Sequence, residues 1–310
     1  MISRRKLYFT PDYMGSKNVE LEFIGEYLEK NNLINKNSIF VDVFGGSGLV
    51  GLYICDKYKI PVVYNELNIE LTNFFSQLKH NYDDFLVEFN KKIQLFEAYK
   101  WKLRRGLFVC NDEEKKMYDE VKCLYNDYRD EKDLTSLQKA VRYYIISKMA
   151  FRGEDGKLNS TLKIHINRAF TFNTDTSLLL KTAQLLQNIT ISNDDYKICM
   201  EKYKDLDVIL YLDPPYLTKR TVTYKHMINL DDYDYLISLY YQNIKSSIML
   251  HIGFTPYVHV NKLEEFEFHM YDKYYNSSKN RKNQLERKSF PDYHIIYLNK
   301  RQKKIHKINE

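Results

Sequence analysis

The residues best placed to do chemistry in this chain are Asp213, Pro214, Pro215 and Tyr216, which follow directly on the apolar run VILYL at 208–212. A run of that kind reads as a buried strand, and open α/β sheets bind ligands at the carboxyl ends of their strands. A carboxylate and a neighbouring backbone carbonyl can each accept a hydrogen bond from one N–H of an aromatic amino group. Such a nitrogen is a poor nucleophile because its lone pair is delocalised into the ring. Two acceptors would draw it towards tetrahedral geometry and free the pair. The carboxylate of Asp213 and the carbonyl of Pro214 could be those acceptors, and two consecutive prolines, with φ fixed, would hold them rigidly. Tyr216 offers a face on which an extruded base can stack.

A second group lies upstream. Gly46, Gly48 and Gly51 satisfy G-x-G-x-x-G, and Glu66 follows about 20 residues on, as in a nicotinamide dinucleotide site. An acidic residue at that distance can hold any adenosine ribose, so the spacing alone does not choose between cofactors. An NAD-dependent dehydrogenase would leave the Asp-Pro-Pro-Tyr run unexplained, and also the segment MGSK at 14–17.

Several elements must carry these groups. SIFVDV (38–43) reads as a short buried strand, FGGSG (44–48) as a turn, LVGLYICDKY as a helix and PVVYNE (61–66) as a second strand. This unit begins an α/β domain with a parallel sheet. From about 70 to 150 the pattern turns helical and charged, with Met117, Val121, Leu124 and Tyr128 one helical turn apart. Thr135 or Ser136 is placed to cap a further helix bearing Leu137, Val141, Tyr144, Ile145 and Met149. Asp155-Gly156 signals a turn between short strands. Strand-like runs return at 188–192, 208–213, 246–254 and 293–298.

The 310 residues, 44% of them apolar, are enough for a sizeable core, and no apolar run approaches a membrane span of roughly 18 residues. No signal-peptide pattern follows the charged start MISRRKLYF, so an intracellular, cytoplasmic protein without membrane attachment is expected. The four cysteines, Cys55, Cys110, Cys123 and Cys199, form no C-x-x-C pair and read as reduced, packed thiols. His165, His226 and His251 read as structural, and no metal is expected. The net charge of +6 permits a polyanionic partner without requiring one.

Together the motifs resemble the Dam-type, alpha-group family of adenine-specific DNA methyltransferases. DPPY after an apolar strand looks like the family's catalytic motif, VDVFGGSG (41–48) is similar to its methionine-binding loop, and YMGSK (13–17) is similar to its N-terminal motif. Their order, with a long insertion before DPPY, matches the alpha group, and RKSFPDYHIIYLN is a weaker match near the end. The resemblance implies a Rossmann-like S-adenosylmethionine-dependent domain at 1–77 and 189–310, with a mostly helical target-recognition domain inserted at 78–188. It implies S-adenosyl-L-methionine as cofactor, held by Tyr13, Gly15, Lys17, Asp42, Phe44, Gly45, Gly46, Ser47, Gly48 and Asp213. Lys17 would lie near the cofactor's carboxylate, Glu66 on the ribose hydroxyls, and Asp195 with Tyr196 on its adenine; Asp194 has the same chemistry and stays open as an alternative. Asp213 to Tyr216 would be catalytic, and the positively charged sulfonium removes any need for a metal.

Two departures bear on specificity. The family's Dam members usually carry Asp where this chain has Glu66, and FRGEDGKLN at 151–159 keeps only part of their recognition hairpin before continuing STLKIHINR. The partner implied is double-stranded DNA, with Arg142, Lys148, Arg152, Lys157 and Asn159 as candidates for base or phosphate contact and 151–159 as the groove element. The basic runs SKNRKNQLERK and KRQKKIHK read as solvated segments or as phosphate contacts. A monomer is expected from one catalytic motif and one insertion, and a cognate restriction endonuclease is compatible without physical contact. Methylation of cytosine N4 or of RNA, and a non-catalytic DNA-binding role, remain as alternatives.

Overall fold

A computed structural model describes residues 7–13, 16–100, 112–149, 176–215, 228–242, 244–253, 267–273 and 292–299. Gly15, Cys110, His165, Tyr216, His226, the predicted hairpin with Arg152, Lys157 and Asn159, and both basic runs lie outside them.

Among the described residues, seven strands form one sheet in the order β3-β2-β1-β4-β5-β7-β6. They are β1 (Phe40–Asp42), β2 (Val62–Asn65), β3 (Ile189–Ser192), β4 (Ile209–Leu212), β5 (Ser247–Gly253), β6 (Glu267–Lys273) and β7 (Asp292–Leu298). The first five are parallel; β7 runs antiparallel to β5, and β6 to β7. The strand order reverses between β1 and β4, and such a reversal opens a crevice at the strands' carboxyl ends. Asp42 closes β1 and Asp213 follows β4, so the topology alone brings both to that crevice.

The central strands are buried on both faces, and their side chains alternate with period two. Phe40, Val62, Tyr64, Ile209, Tyr211 and Met249 enter one core; Val41, Val63, Leu210, Leu212, Ile248 and Leu250 enter the other. Burial on both sides explains the near-continuous apolar sequence of these strands. The second face is covered by α8 (Tyr196–Tyr203) and α9 (Leu230–Ser238).

The first face carries α1 (Leu21–Lys30), α2 (Leu49–Tyr58), α3 (Ile69–His80) and α7 (Thr176–Leu186). Its core continues into α4 (Tyr82–Lys100), α5 (Asp112–Asp130) and α6 (Ser136–Met149). In α4, Phe85, Phe89, Ile93 and Phe96 recur at helical spacing on one buried face; in α5, Val121, Tyr125 and Tyr128 do so. Thr135 caps α6 in a reciprocal pair: its hydroxyl accepts from Gln138 N at 3.2 Å and Gln138 Oε1 accepts from Thr135 N at 3.0 Å. From Ala140 to Lys148 only Arg142 escapes full burial, so α6 is a central helix rather than one with a single apolar face.

β6 carries no strand signal in the sequence. Its EFHMYDK mixes charge with apolar residues, as suits an edge strand that must resist pairing with another chain. Cys55, Cys123 and Cys199 are free thiols, the first and last buried. Among the described residues, no helix is long and apolar enough to cross a membrane.

Candidate active site

A cavity of about 460 Å³ opens at the reversal point between β1 and β4. Its wall includes Tyr13, Lys17, Asp42, Phe44, Gly45, Gly46, Ser47, Glu66, Asp195, Tyr196, Asp213, Pro214 and Pro215, so the fold brings these predicted cofactor and catalytic positions together. Gly48 stands just behind the wall as the N-cap of α2.

The glycine loop owes its shape to contacts that tolerate no side chain. A Cβ on Gly45 would lie 2.3 Å from the ring of Tyr64. That ring cannot swing aside freely, because its hydroxyl donates to Gly46 O at 2.8 Å and the residue is buried. Gly48 takes φ +73° with Phe75 against it, a left-handed conformation that glycine adopts without strain. Gly46, at φ +49°, lies under the ring of Tyr13.

Glu66 is buried at the end of β2 and straps the loop: its Oε2 accepts from Gly46 N at 2.7 Å and its Oε1 from Asn68 N at 2.8 Å. Asn65 clasps two loops, donating to Val43 O at 3.0 Å and Asp194 O at 3.1 Å while accepting from Asp194 N at 3.0 Å. Asp194 is further engaged, its Oδ2 accepting from Ser192 Oγ at 2.5 Å and Lys202 Nζ at 2.6 Å. Lys202, and then Ser192, hold its carboxyl below the ordinary range. Asp195 caps α8 by accepting from Lys197 N at 2.9 Å.

Across the cavity, the buried ammonium of Lys17 is ion-paired with Asp213. Tyr233, fully buried in α9, donates from its hydroxyl to Pro215 O at 3.1 Å and so anchors the turn that carries Pro214. The preceding residue, Asp232, accepts from Tyr196 OH at 2.6 Å and pairs with Lys197 at 2.9 Å. Tyr196 in turn stacks on Phe44, with centroids 5.2 Å apart. One helix N-terminus therefore braces both the aromatic wall and the Asp-Pro-Pro turn. Asn65, Asp232 and Tyr233 belong to no motif, and only the folded chain exposes their roles.

Asp42 stands out among the described carboxylates. It is 1% exposed, and its Oδ2 has no hydrogen-bond partner. Burial first, then the charges of Asp213 and Glu66, push its carboxyl up to about 8; the Gly51 N–H and Lys17 offset only part of this. Around the cavity as a whole, six described carboxylates (Asp42, Glu66, Asp194, Asp195, Asp213, Asp232) face two ammonium groups, Lys17 and Lys197. Such a wall suits a ligand bearing positive charge and opposes a pyrophosphate, which weighs against a dinucleotide despite the glycine spacing.

The candidate DNA contacts fare differently. Lys148 is buried and paired with Asp12, and Arg142 donates to Arg129 O at 3.2 Å and Glu131 O at 2.6 Å. Both basic groups have partners within the protein, and neither lines the cavity. His251 is fully buried, its Nδ1 2.7 Å from the Tyr211 hydroxyl.

A family model described as D12 class N6 adenine-specific DNA methyltransferase matches residues 13–299, nearly the whole chain. No curated protein matches it.

Proposed function

The chain belongs to the D12 class of N6 adenine-specific DNA methyltransferases, and from that premise we propose how its cavity serves the reaction. The methyl donor is S-adenosylmethionine, and the cavity at the β1–β4 reversal receives it. The observation that carries this reading is Asp42, a buried carboxylate with an unpartnered oxygen in a wall rich in negative charge. S-adenosylmethionine has a sulfonium and an ammonium against one carboxylate, and its net positive charge would relieve that wall. The close backbone turn at Gly45 and Gly46 leaves room where a side chain would intrude.

In this reading Tyr13 and the loop from Phe44 to Gly48 surround the methionine part, with Lys17 as the counter-charge for its carboxylate. Glu66 faces the ribose, and Asp195 with Tyr196 faces the adenine; Asp194 is committed to Ser192 and Lys202. When bound, the sulfonium supplies a methyl group that is already activated for transfer. The protein's own task is to present a nucleophile. Asp213, aimed by Lys17, and the carbonyl of Pro214, on a turn anchored by Tyr233, accept the two N–H bonds of a flipped adenine. Tyr216 stacks on its ring. Positioning of this kind supplies much of the rate.

The segment between β2 and β3 would hold the recognition function, with α4 to α6 as its body and 151–159 as the part that reads DNA through Arg152, Lys157 and Asn159. The protein would act inside the cell as a monomer on duplex DNA, with or without a companion endonuclease. The test is to incubate it with unmethylated genomic DNA and labelled S-adenosylmethionine and map the modified bases. Methyl-adenine at one recurring motif, lost in Asp213→Ala, is expected. Bound cofactor without DNA modification would overturn the reading.

A further inference from the structure

Residues 7–13 run as a strap without regular secondary structure from the helical body to the cavity. At its start, Tyr8, Phe9 and Thr10 are buried, and Phe9 stacks on Tyr144 of α6 with centroids 4.0 Å apart. The Phe9 N–H also donates to Thr182 Oγ1 at 2.8 Å. At its end, Tyr13 covers Gly46, and Lys17 follows on Asp213.

Between these anchors, two adjacent residues of α6 grip one residue of the strap. Lys148 is ion-paired with the Asp12 carboxylate, and Ser147 Oγ accepts from Asp12 N at 3.3 Å. Lys148 is 7% exposed, and its ammonium also lies 5.1 Å from the Tyr144 ring centroid. Burying an ammonium for general cohesion is a poor bargain, because an apolar side chain of similar volume would pack there at lower desolvation cost. A charged pair adds direction instead. It fixes the backbone at Asp12, and therefore the residue next in sequence, Tyr13.

We propose that Lys148 and Asp12 are positioning residues for the methyl donor, their ion pair setting where Tyr13 and Lys17 stand at the cavity. The proposal rests on the assignment of that cavity to S-adenosylmethionine. It also replaces the sequence expectation that Lys148 meets DNA.

The test measures equilibrium binding of S-adenosylmethionine, its KM and kcat, and DNA affinity for wild type, Lys148→Met, Lys148→Arg and Asp12→Asn. Displacing Tyr13 and Lys17 should raise Kd and KM for the donor about tenfold in K148M and D12N, and kcat at saturating donor should fall by a smaller factor because Lys17 also aims Asp213. DNA affinity should stay at the wild-type level, and K148R should recover most of the loss. Should K148M fail to fold, D12N decides, since the Asp12 side chain is 32% exposed and keeps its shape as Asn. Donor Kd within twofold of wild type in folded D12N would overturn the proposal, as would a loss confined to DNA binding. Wild-type protein that binds no S-adenosylmethionine would instead overturn the cavity assignment, and the proposal with it.

Discussion

The cavity wall and the helical body of α4 to α6 handle charge in opposite ways. In the body, three basic groups end on internal partners: Arg142 on carbonyls at the C-terminal end of α5, Lys92 on Glu131, and Lys148 on Asp12. At the cavity, carboxylates outnumber ammonium groups, and one of them, Asp42, is buried with an oxygen left unpartnered. A balanced region is built to stay as it is. A region whose buried carboxyl is destabilising once it ionises is less stable than it could be, and a ligand of opposite charge makes up the difference.

The largest expected effect comes from closing the space that the glycine loop keeps open. Gly45→Ala puts a Cβ against the held ring of Tyr64 and the backbone oxygen of Asn65. It should cost about 3 kcal/mol in urea unfolding and abolish measurable donor binding. Unchanged stability would show that the loop yields, and that the cavity wall is softer than its contacts imply.

Asp42→Asn sharpens the contrast through pH. The folded value is raised from 3.8 to about 8, so the empty protein takes up a proton on folding between those values. Asp42 therefore lowers stability progressively as pH climbs from about 4 to about 8, and the full penalty is present above that. D42N should melt higher than wild type, with a larger gain at pH 8 than at pH 5. Its affinity for S-adenosylmethionine should nevertheless fall about tenfold at pH 8, the loss of one favourable charge contact. In wild type, donor affinity should rise with pH up to about 8 and then level, because binding a cation must first expel the proton. A melting gain that is equal at both pH values would remove Asp42 from the account.

Tyr233→Phe deletes one oxygen and leaves the packing of α9 in place. With Pro215 no longer anchored, kcat should fall about tenfold while KM for the donor stays near wild type, the mark of an interaction that serves the transition state. A rise in KM alone would place Tyr233 with the donor wall instead. The smallest effect is expected in the balanced region. Arg142→Ala should lose about 1 kcal/mol of stability from the two carbonyl contacts, with the salt dependence of DNA binding unchanged. A salt slope reduced by about one would make Arg142 a phosphate contact after all.

The same contrast explains how much could be read before folding. Strands β1, β2 and β4 were legible because burial on both faces demands apolar runs, and the loop after β1 because its turn demands glycine at Gly45, Gly46 and Gly48. The Asp-Pro-Pro turn was legible because few other sequences fix two acceptors at a strand end. Lys148 and Arg142 could not be sorted in the same way, since a lysine or arginine has the same identity whether it meets a phosphate or a neighbouring carbonyl. Asn65, Asp232 and Tyr233 act through partners 129, 36 and 18 residues away in sequence, and leave no local spacing to detect. β6 hid behind the charges that protect a sheet edge.

The central claim is that Asp213 at the end of β4 prepares the adenine amino group for transfer, over and above any part in binding. Single-turnover methyl transfer by Asp213→Ala, at saturating S-adenosylmethionine and DNA, tests it most directly when donor binding is measured alongside. Removing an oriented acceptor at the reacting nitrogen should slow transfer at least about a hundredfold while the donor still binds. A rate within tenfold of wild type would contradict the account, and would move the chemistry away from the Asp-Pro-Pro turn.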